Sequence, residues 1–129
     1  MLPLNRVHHI AIICSDYQKS KQFYIQVLGL TVVQEIYRED RQSYKLDLAL
    51  NGQYLIELFS FPQPPPRVSG PEAAGLRHLA FEVDDLEKAI AVLQQYGVPY
   101  EPVRSDEYTG KKFLFLFDPD DLPIELYEK

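Results

Sequence analysis

The stretch His9-Ile-Ala-Ile-Ile-Cys-Ser-Asp16 occurs a second time, in altered form, as His78-Leu-Ala-Phe-Glu-Val-Asp-Asp85. A shift of 69 residues lays His9 on His78, Ala11 on Ala80, Asp16 on Asp85 and Lys19 on Lys88. Farther along, Ile56-Glu57-Leu58 matches Ile124-Glu125-Leu126 at a shift of 68. The His-to-Glu separations are therefore 48 and 47 residues. One shared tripeptide carries little weight, whereas an ordered set of matches at a near-constant shift marks a duplicated unit.

Each copy reads as a strand, a helix and then further strands. Residues 7–14 and 76–83 are short apolar runs rich in β-branched or aromatic side chains, as buried strands are. Asp16 and Asp85 (or Asp84) then stand where an N-cap belongs, offering a carboxylate to the free amides of the first helical turn. The first helix is expected over 17–28, ending at Gly29, and the second over 86–96, ending at Gly97, since glycine readily takes the left-handed C′ position. Leu86, Ala89, Ile90 and Leu93 follow helical spacing and form the face that packs on a sheet. Further strands are expected at 31–37, 44–50, 54–59, 100–104, 112–117 and 124–127. Asn51-Gly52 reads as a hairpin turn, and Asp118-Pro-Asp-Asp121 as the turn before the last strand.

Between the copies, four prolines fall within six residues from Pro62. They exclude a helix interior or ladder strand and predict a stiff, extended connector. The expected architecture is an α+β domain spanning 1–129. It consists of two βαβββ modules, about 4–60 and 75–129, joined by a proline-rich linker at 61–74.

Strand alternation puts His9 on one face with Ala11 and Ile13, with His8 pointing the other way. The repeat also prefers His9, because Val7-His8 aligns with Leu76-Arg77. Glu57 sits inside the hydrophobic strand Tyr54-Leu-Ile-Glu-Leu-Phe59, where a carboxylate is expensive unless its charge is compensated. If the halves pack with approximate two-fold symmetry, His9, Glu57, His78 and Glu125 converge. Two imidazoles and two carboxylates suit one divalent ion: nickel, cobalt or zinc through imidazole, with manganese a harder alternative through carboxylate oxygen.

Composition narrows the partners. The 129 residues carry a formal net charge of −6, and their bases are interleaved with acids, so no footprint for nucleic acid appears. The apolar runs are far short of a membrane span. The segment Met1-Leu-Pro-Leu-Asn-Arg6 lacks a signal-peptide pattern, and Cys14, the only cysteine, permits no intrachain disulfide. A cytoplasmic location is the expectation, with Cys14 buried and inert. There is no Gly-x-Gly-x-x-Gly loop and no Gly-x-Ser-x-Gly elbow. The expected partner is a small molecule, without membrane or nucleic acid.

At His-His-Ile-Ala-Ile (8–12), Ser20-Lys-Gln-Phe-Tyr24, Val-Leu-Gly-Leu30, Ile-Glu-Leu (56–58), Arg-His-Leu-Ala-Phe (77–81) and Asp118-Pro-Asp-Asp-Leu-Pro-Ile-Glu-Leu126, the chain resembles the vicinal oxygen chelate superfamily. Within it, the resemblance is to glyoxalase I (lactoylglutathione lyase) relatives. It implies a curved mixed sheet around a metal held by His9, Glu57, His78 and Glu125, and a homodimer. The implied activity is that of a metal-dependent lyase or isomerase acting on the hemithioacetal of an α-ketoaldehyde and a thiol. Proton transfer would pass through a metal-chelated enediolate, with Glu125 as base and Glu57 as ligand and second acid/base. An acyl-CoA epimerase-like isomerase and a non-catalytic module binding an antibiotic or other small molecule are the alternatives.

Two departures bear on the thiol. Glyoxalase I proteins commonly carry Arg four residues after the first ligand, where this chain has Ile13, and Asn four residues after the second, where it has Phe61. Glutathione and other thiols therefore both stand as co-substrates, and Arg77, Arg104, Lys111 and Lys112 are either ordinary solvated charges or an alternative anion contact. Asp121 takes the place of a usual glycine in the last turn, which Asp tolerates through its access to the left-handed region.

Overall fold

The computed structural model describes residues 1–129, which divide into two compact units, Met1–Pro65 and Pro66–Lys129. In the first unit β1 (Ile10–Cys14) leads into α1 (Tyr17–Gln22), followed by β2 (Thr31–Arg38), β3 (Ser43–Leu50) and β4 (Gln53–Ser60). The sheet order is β1-β4-β3-β2, with β1 parallel to β4 and the other pairs antiparallel. In the second unit β5 (Leu79–Val83) leads into α2 (Leu86–Gln95), followed by β6 (Arg104–Ser105), β7 (Lys112–Phe117) and β8 (Pro123–Glu128). Its order, β5-β8-β7-β6, repeats the same pattern of one parallel and two antiparallel pairings. The α+β fold of two βαβββ modules expected from the repeat is present.

Both helices start as their sequences require. The Asp16 carboxylate accepts from the Lys19 amide at 3.2 Å, and that of Asp85 accepts from the Glu87 and Lys88 amides at 3.0 and 3.1 Å. The first helix does not stay α-helical over 17–28. Phe23–Val27 is a π-helical turn, closed by Leu28 N–H donating to the Phe23 carbonyl at 3.0 Å. Phe23 and Tyr24 in that turn are both buried, ring edge to ring face at 5.2 Å. Gly29 and Gly97 end the two helical segments at φ 77° and 65°, a region that costs glycine little.

Three strands are shorter than the apolar pattern suggests. β1 and β5 begin at Ile10 and Leu79, opposite Ile56 and Ile124, because an apolar residue adds nothing to a sheet until a neighbouring strand can pair with it. The stretch expected at 100–104 pairs regularly only at Arg104–Ser105. Pro102 has no N–H for a ladder, and Tyr100 makes only an isolated bridge to Leu116. The turns are as read: Asn51 and Gly52 have φ of 50° and 79°, and Asp121 lies at 65°. The Asp118 carboxylate accepts from the Asp120 and Leu122 amides, each at 2.9 Å. Cys14 is buried. No helix is long and apolar enough to cross a membrane.

The core lies on one face of each sheet. Leu46, Leu48, Ile56 and Leu58 in the first unit, and Leu114, Leu116 and Ile124 in the second, are all fully buried. Since successive strand residues alternate faces, Glu57 and Glu125 point to the opposite side. This leaves each acid on the face that the apolar core does not use.

Across the first unit, α1 is tied to β2 and β3. The Tyr17 ring stacks on Tyr44 at 4.1 Å, while its hydroxyl and the Lys21 ammonium both donate to Glu35, the latter at 2.7 Å. The hydrogen bond from Lys21, and next that from Tyr17, hold the Glu35 carboxyl below its ordinary value. A depressed folded-state value stabilises the fold above the unfolded carboxyl's pKa, about 4.3, and that contribution vanishes as pH falls through the folded value. Glu35→Gln is therefore expected to lower unfolding free energy at neutral pH and to converge on the unaltered chain in acid. Urea titrations across that range would show it, and a difference independent of pH would rule it out.

Candidate metal centre

In each unit the repeated His and Glu are brought together by strand register. Ala11 is the partner of Glu57 across β1 and β4, and His9 immediately precedes β1, so the pairing of these strands carries His9 to Glu57. The same relation links His78, Ala80 and Glu125 across β5 and β8. His9 Nε2 stands 3.8 Å from Glu57 Oε1, and His78 Nε2 stands 2.9 Å from Glu125 Oε2. Two ligand atoms each about 2.1 Å from a common ion lie at most about 4.2 Å apart, a limit both pairs meet. Their chemistry, imidazole nitrogen with carboxylate oxygen, also fits a first-row divalent ion. Neither unit by itself gathers three or more His, Cys, Asp or Glu side chains in metal-holding geometry.

The two pairs sit in unlike surroundings. The His78 ring meets the face of Phe115 edge-on at 5.1 Å, and its Nδ1 is buried without a hydrogen-bond partner. His9 instead stacks on Tyr54, centroids 5.3 Å apart and planes 10° from parallel. The Tyr54 hydroxyl is 3.1 Å from Glu57 Oε2 and 3.0 Å from Asp47 Oδ1. The Lys45 ammonium donates to both Asp47 oxygens at 2.8 Å and lies 3.6 Å from Glu57 Oε2. Burial, then the carboxylates of Asp47 and Glu57, push the Tyr54 phenol far above its ordinary value and keep it a proton donor. The bond to Asp47 likewise holds the Lys45 ammonium above its usual value, against the effect of burial.

His8 corrects the alternation reading. It does not turn away from His9: its Nδ1 is 2.8 Å from His9 Nδ1, and its ring meets Tyr54 edge-on at 5.4 Å. Both histidines precede the first paired residue of β1, so no ladder imposes alternate faces on them.

Tyr54, Asp47 and Lys45 were not among the residues singled out from sequence, although the repeat contained a signal. The shift of 68 that lays Glu57 on Glu125 lays Lys45 on Phe113, Asp47 on Phe115 and Tyr54 on Leu122. A polar trio in one copy thus answers an apolar trio in the other.

Of the four cations that the sequence offers as anion contacts, Arg104 has its guanidinium 5.1 Å from the Phe113 ring centroid and 5.5 Å from that of Phe115, which pairs in register with Glu125. Lys112 follows the alternation of buried Leu114 and so belongs to the opposite face. Lys111 precedes β7, and the Arg77 carbonyl accepts from Arg67 at 3.1 Å. In the first unit Arg38 likewise sets a guanidinium over two phenyl rings, from a different position in the repeat. It lies 4.9 Å and 6.0 Å from the ring centroids of Phe59 and Phe61 and donates to Ser43 Oγ at 2.9 Å.

This chain belongs to the Glyoxalase/Bleomycin resistance protein/Dioxygenase superfamily, whose family description matches residues 6–126. It is 64% identical over 126 residues to the Uncharacterized protein YwkD of Bacillus subtilis (strain 168), covering 98% of each chain. The solved structure of a glyoxalase family protein from Enterococcus faecalis superposes with a TM-score of 0.90 at 49% identity, covering 98% of this chain and all of that one. A more distant relative is the Lactoylglutathione lyase of Schizosaccharomyces pombe (strain 972 / ATCC 24843). The two are 28% identical over 141 residues, which span 94% of this chain and 46% of that enzyme.

Proposed function

We propose that the protein is a metal-dependent lyase or isomerase of the glyoxalase I type, in which His9, Glu57, His78 and Glu125 hold one divalent ion. The observation that carries this reading is the duplication itself. Each module sets a histidine Nε2 within reach of a glutamate oxygen, on the sheet face opposite its core, at distances of 3.8 and 2.9 Å. One such pair supplies two donors, too few for a tightly held ion, and two pairs supply the four that a stable site needs. Nickel, cobalt and zinc suit the mixed nitrogen and oxygen set best. The distant similarity to a lactoylglutathione lyase favours a hemithioacetal of an α-ketoaldehyde over other substrates with adjacent oxygens.

When bound, the ion would supply Lewis-acid stabilisation to charge developing on the substrate oxygens. The protein's own part is proton movement. Glu125 removes the proton beside the substrate carbonyl and returns it to the neighbouring carbon, giving a 2-hydroxyacyl thioester. Glu57 remains a ligand and can serve as acid/base on the other side. Ile13 and Phe61 stand where glutathione contacts are common in the family, so the thiol is best sought among glutathione and other low-molecular-weight thiols.

The test is turnover. The metal-free protein is reloaded separately with nickel, cobalt, zinc or manganese, then given methylglyoxal with glutathione or another biological thiol. Thioester formation, followed by ultraviolet absorbance, is expected with at least one metal. Absence of product with every combination would remove the glyoxalase assignment.

A further inference from the structure

We propose that Tyr54, backed by the Asp47–Lys45 ion pair, is a positioning residue that sets Glu57 and His9 for the metal, and that the second module has no equivalent. This rests on the metal-centre reading above and concerns how that centre is built.

One side chain touches both members of the first pair. The Tyr54 ring lies parallel to His9, and its hydroxyl reaches Glu57 Oε2 at 3.1 Å. Glu57 Oε1 is the oxygen facing His9, so one oxygen is anchored while the other is presented toward the imidazole. A phenol has a single proton, yet two carboxylates lie within its reach. Lys45 weights this competition. Its ammonium donates to both oxygens of Asp47 at 2.8 Å and lies farther, 3.6 Å, from Glu57 Oε2, so Asp47 has the stronger compensation and the weaker claim on the Tyr54 proton.

The second module lacks this arrangement at the same positions. The counterparts of Lys45, Asp47 and Tyr54 are Phe113, Phe115 and Leu122. The register is conserved between copies, since Asp47 pairs with Glu57 as Phe115 pairs with Glu125. Only the chemistry differs. The duplicated site is therefore asymmetric, with Glu57 anchored through one oxygen and Glu125 set beside an aromatic ring.

Cobalt(II) titration of the full chain, by calorimetry and visible absorption, tests this without any substrate. Tyr54→Phe keeps the ring on His9 but removes the hydroxyl. It is expected to weaken cobalt binding about 10- to 100-fold, as loss of an outer partner of a ligand commonly does. The cobalt absorption bands should shift, while the melting midpoint of the metal-free protein stays close to that of the unaltered chain. Affinity within about twofold of the unaltered chain, with unchanged bands, would overturn the proposal, because it lies well below the loss expected of an outer partner.

Lys45→Met supplies an independent sign. Simple removal of a cation beside the site should tighten cobalt binding. The positioning role requires the opposite, because Asp47 would then draw the Tyr54 proton away from Glu57. Tightening overturns the proposal, and weakening supports it. Failure of the unaltered chain to bind cobalt would sink the metal centre itself, a result distinct from cobalt binding that is indifferent to Tyr54.

Discussion

Glu125→Gln is expected to lower turnover of the hemithioacetal roughly 100- to 10,000-fold, the range over which a positioned general base acts. Glutamine has nearly the shape of glutamate, so the register of β8 with β5 and β7 and the contact with His78 have no steric reason to change. What is lost is the capacity to take a proton and the negative charge beside an imidazole 2.9 Å away. The fall should appear in proton exchange as well as in product formation. In deuterated water the unaltered chain is expected to exchange the substrate proton next to the carbonyl, and the variant to do so far more slowly. Circular dichroism should be unchanged, because Glu125 lies on the face opposite buried Ile124 and Leu126. Full activity in the variant would remove Glu125 as the base. A protein that binds its small molecule equally well before and after the change, with no turnover in either case, would instead be a binding module.

The second large effect falls on stability. Leu58→Ala is expected to cost about 2–5 kcal/mol, the range for truncating a fully buried leucine where the cavity only partly collapses. Leu58 has no exposed surface, and its register partners are Leu46, also without exposure, and Ile12 at 7%. It therefore lies at the centre of the layer that joins β1, β4 and β3, next in sequence to Glu57. Chemical denaturation of the full chain at neutral pH measures the loss. Val33→Ala, at a site 59% exposed, is the matched control and should stay within about 0.5 kcal/mol. Equal effects at the two positions would mean that this apolar layer does not hold the sheet.

The departures from family pattern acquire a physical setting in the structure. Phe61 stacks with Phe59 at 5.8 Å, and the Arg38 guanidinium lies over both rings. Ile13, in register with Phe59, is 56% exposed. The positions that elsewhere contact glutathione thus carry apolar surface here, bordered by a cation that neither the repeat nor the family pattern pointed to.

Local chemistry made much of this protein legible before any tertiary structure. A duplicated run of apolar residues, an Asp cap and a stop glycine specify strand, helix and turn through interactions spanning only a few residues, and repetition at 69 and 68 residues identifies which His belongs with which Glu. The parts that needed tertiary structure depend on partners distant in sequence. Pairing across β1 and β4 decides that β1 starts at Ile10, and so frees His8 to join His9 at Tyr54. Register between β3 and β4 brings Asp47 against Glu57, and the hairpin at Asn51-Gly52 returns Tyr54 to both of them. Alternation within one strand assigns a side chain to a face, but only the neighbouring strand determines which charges meet there.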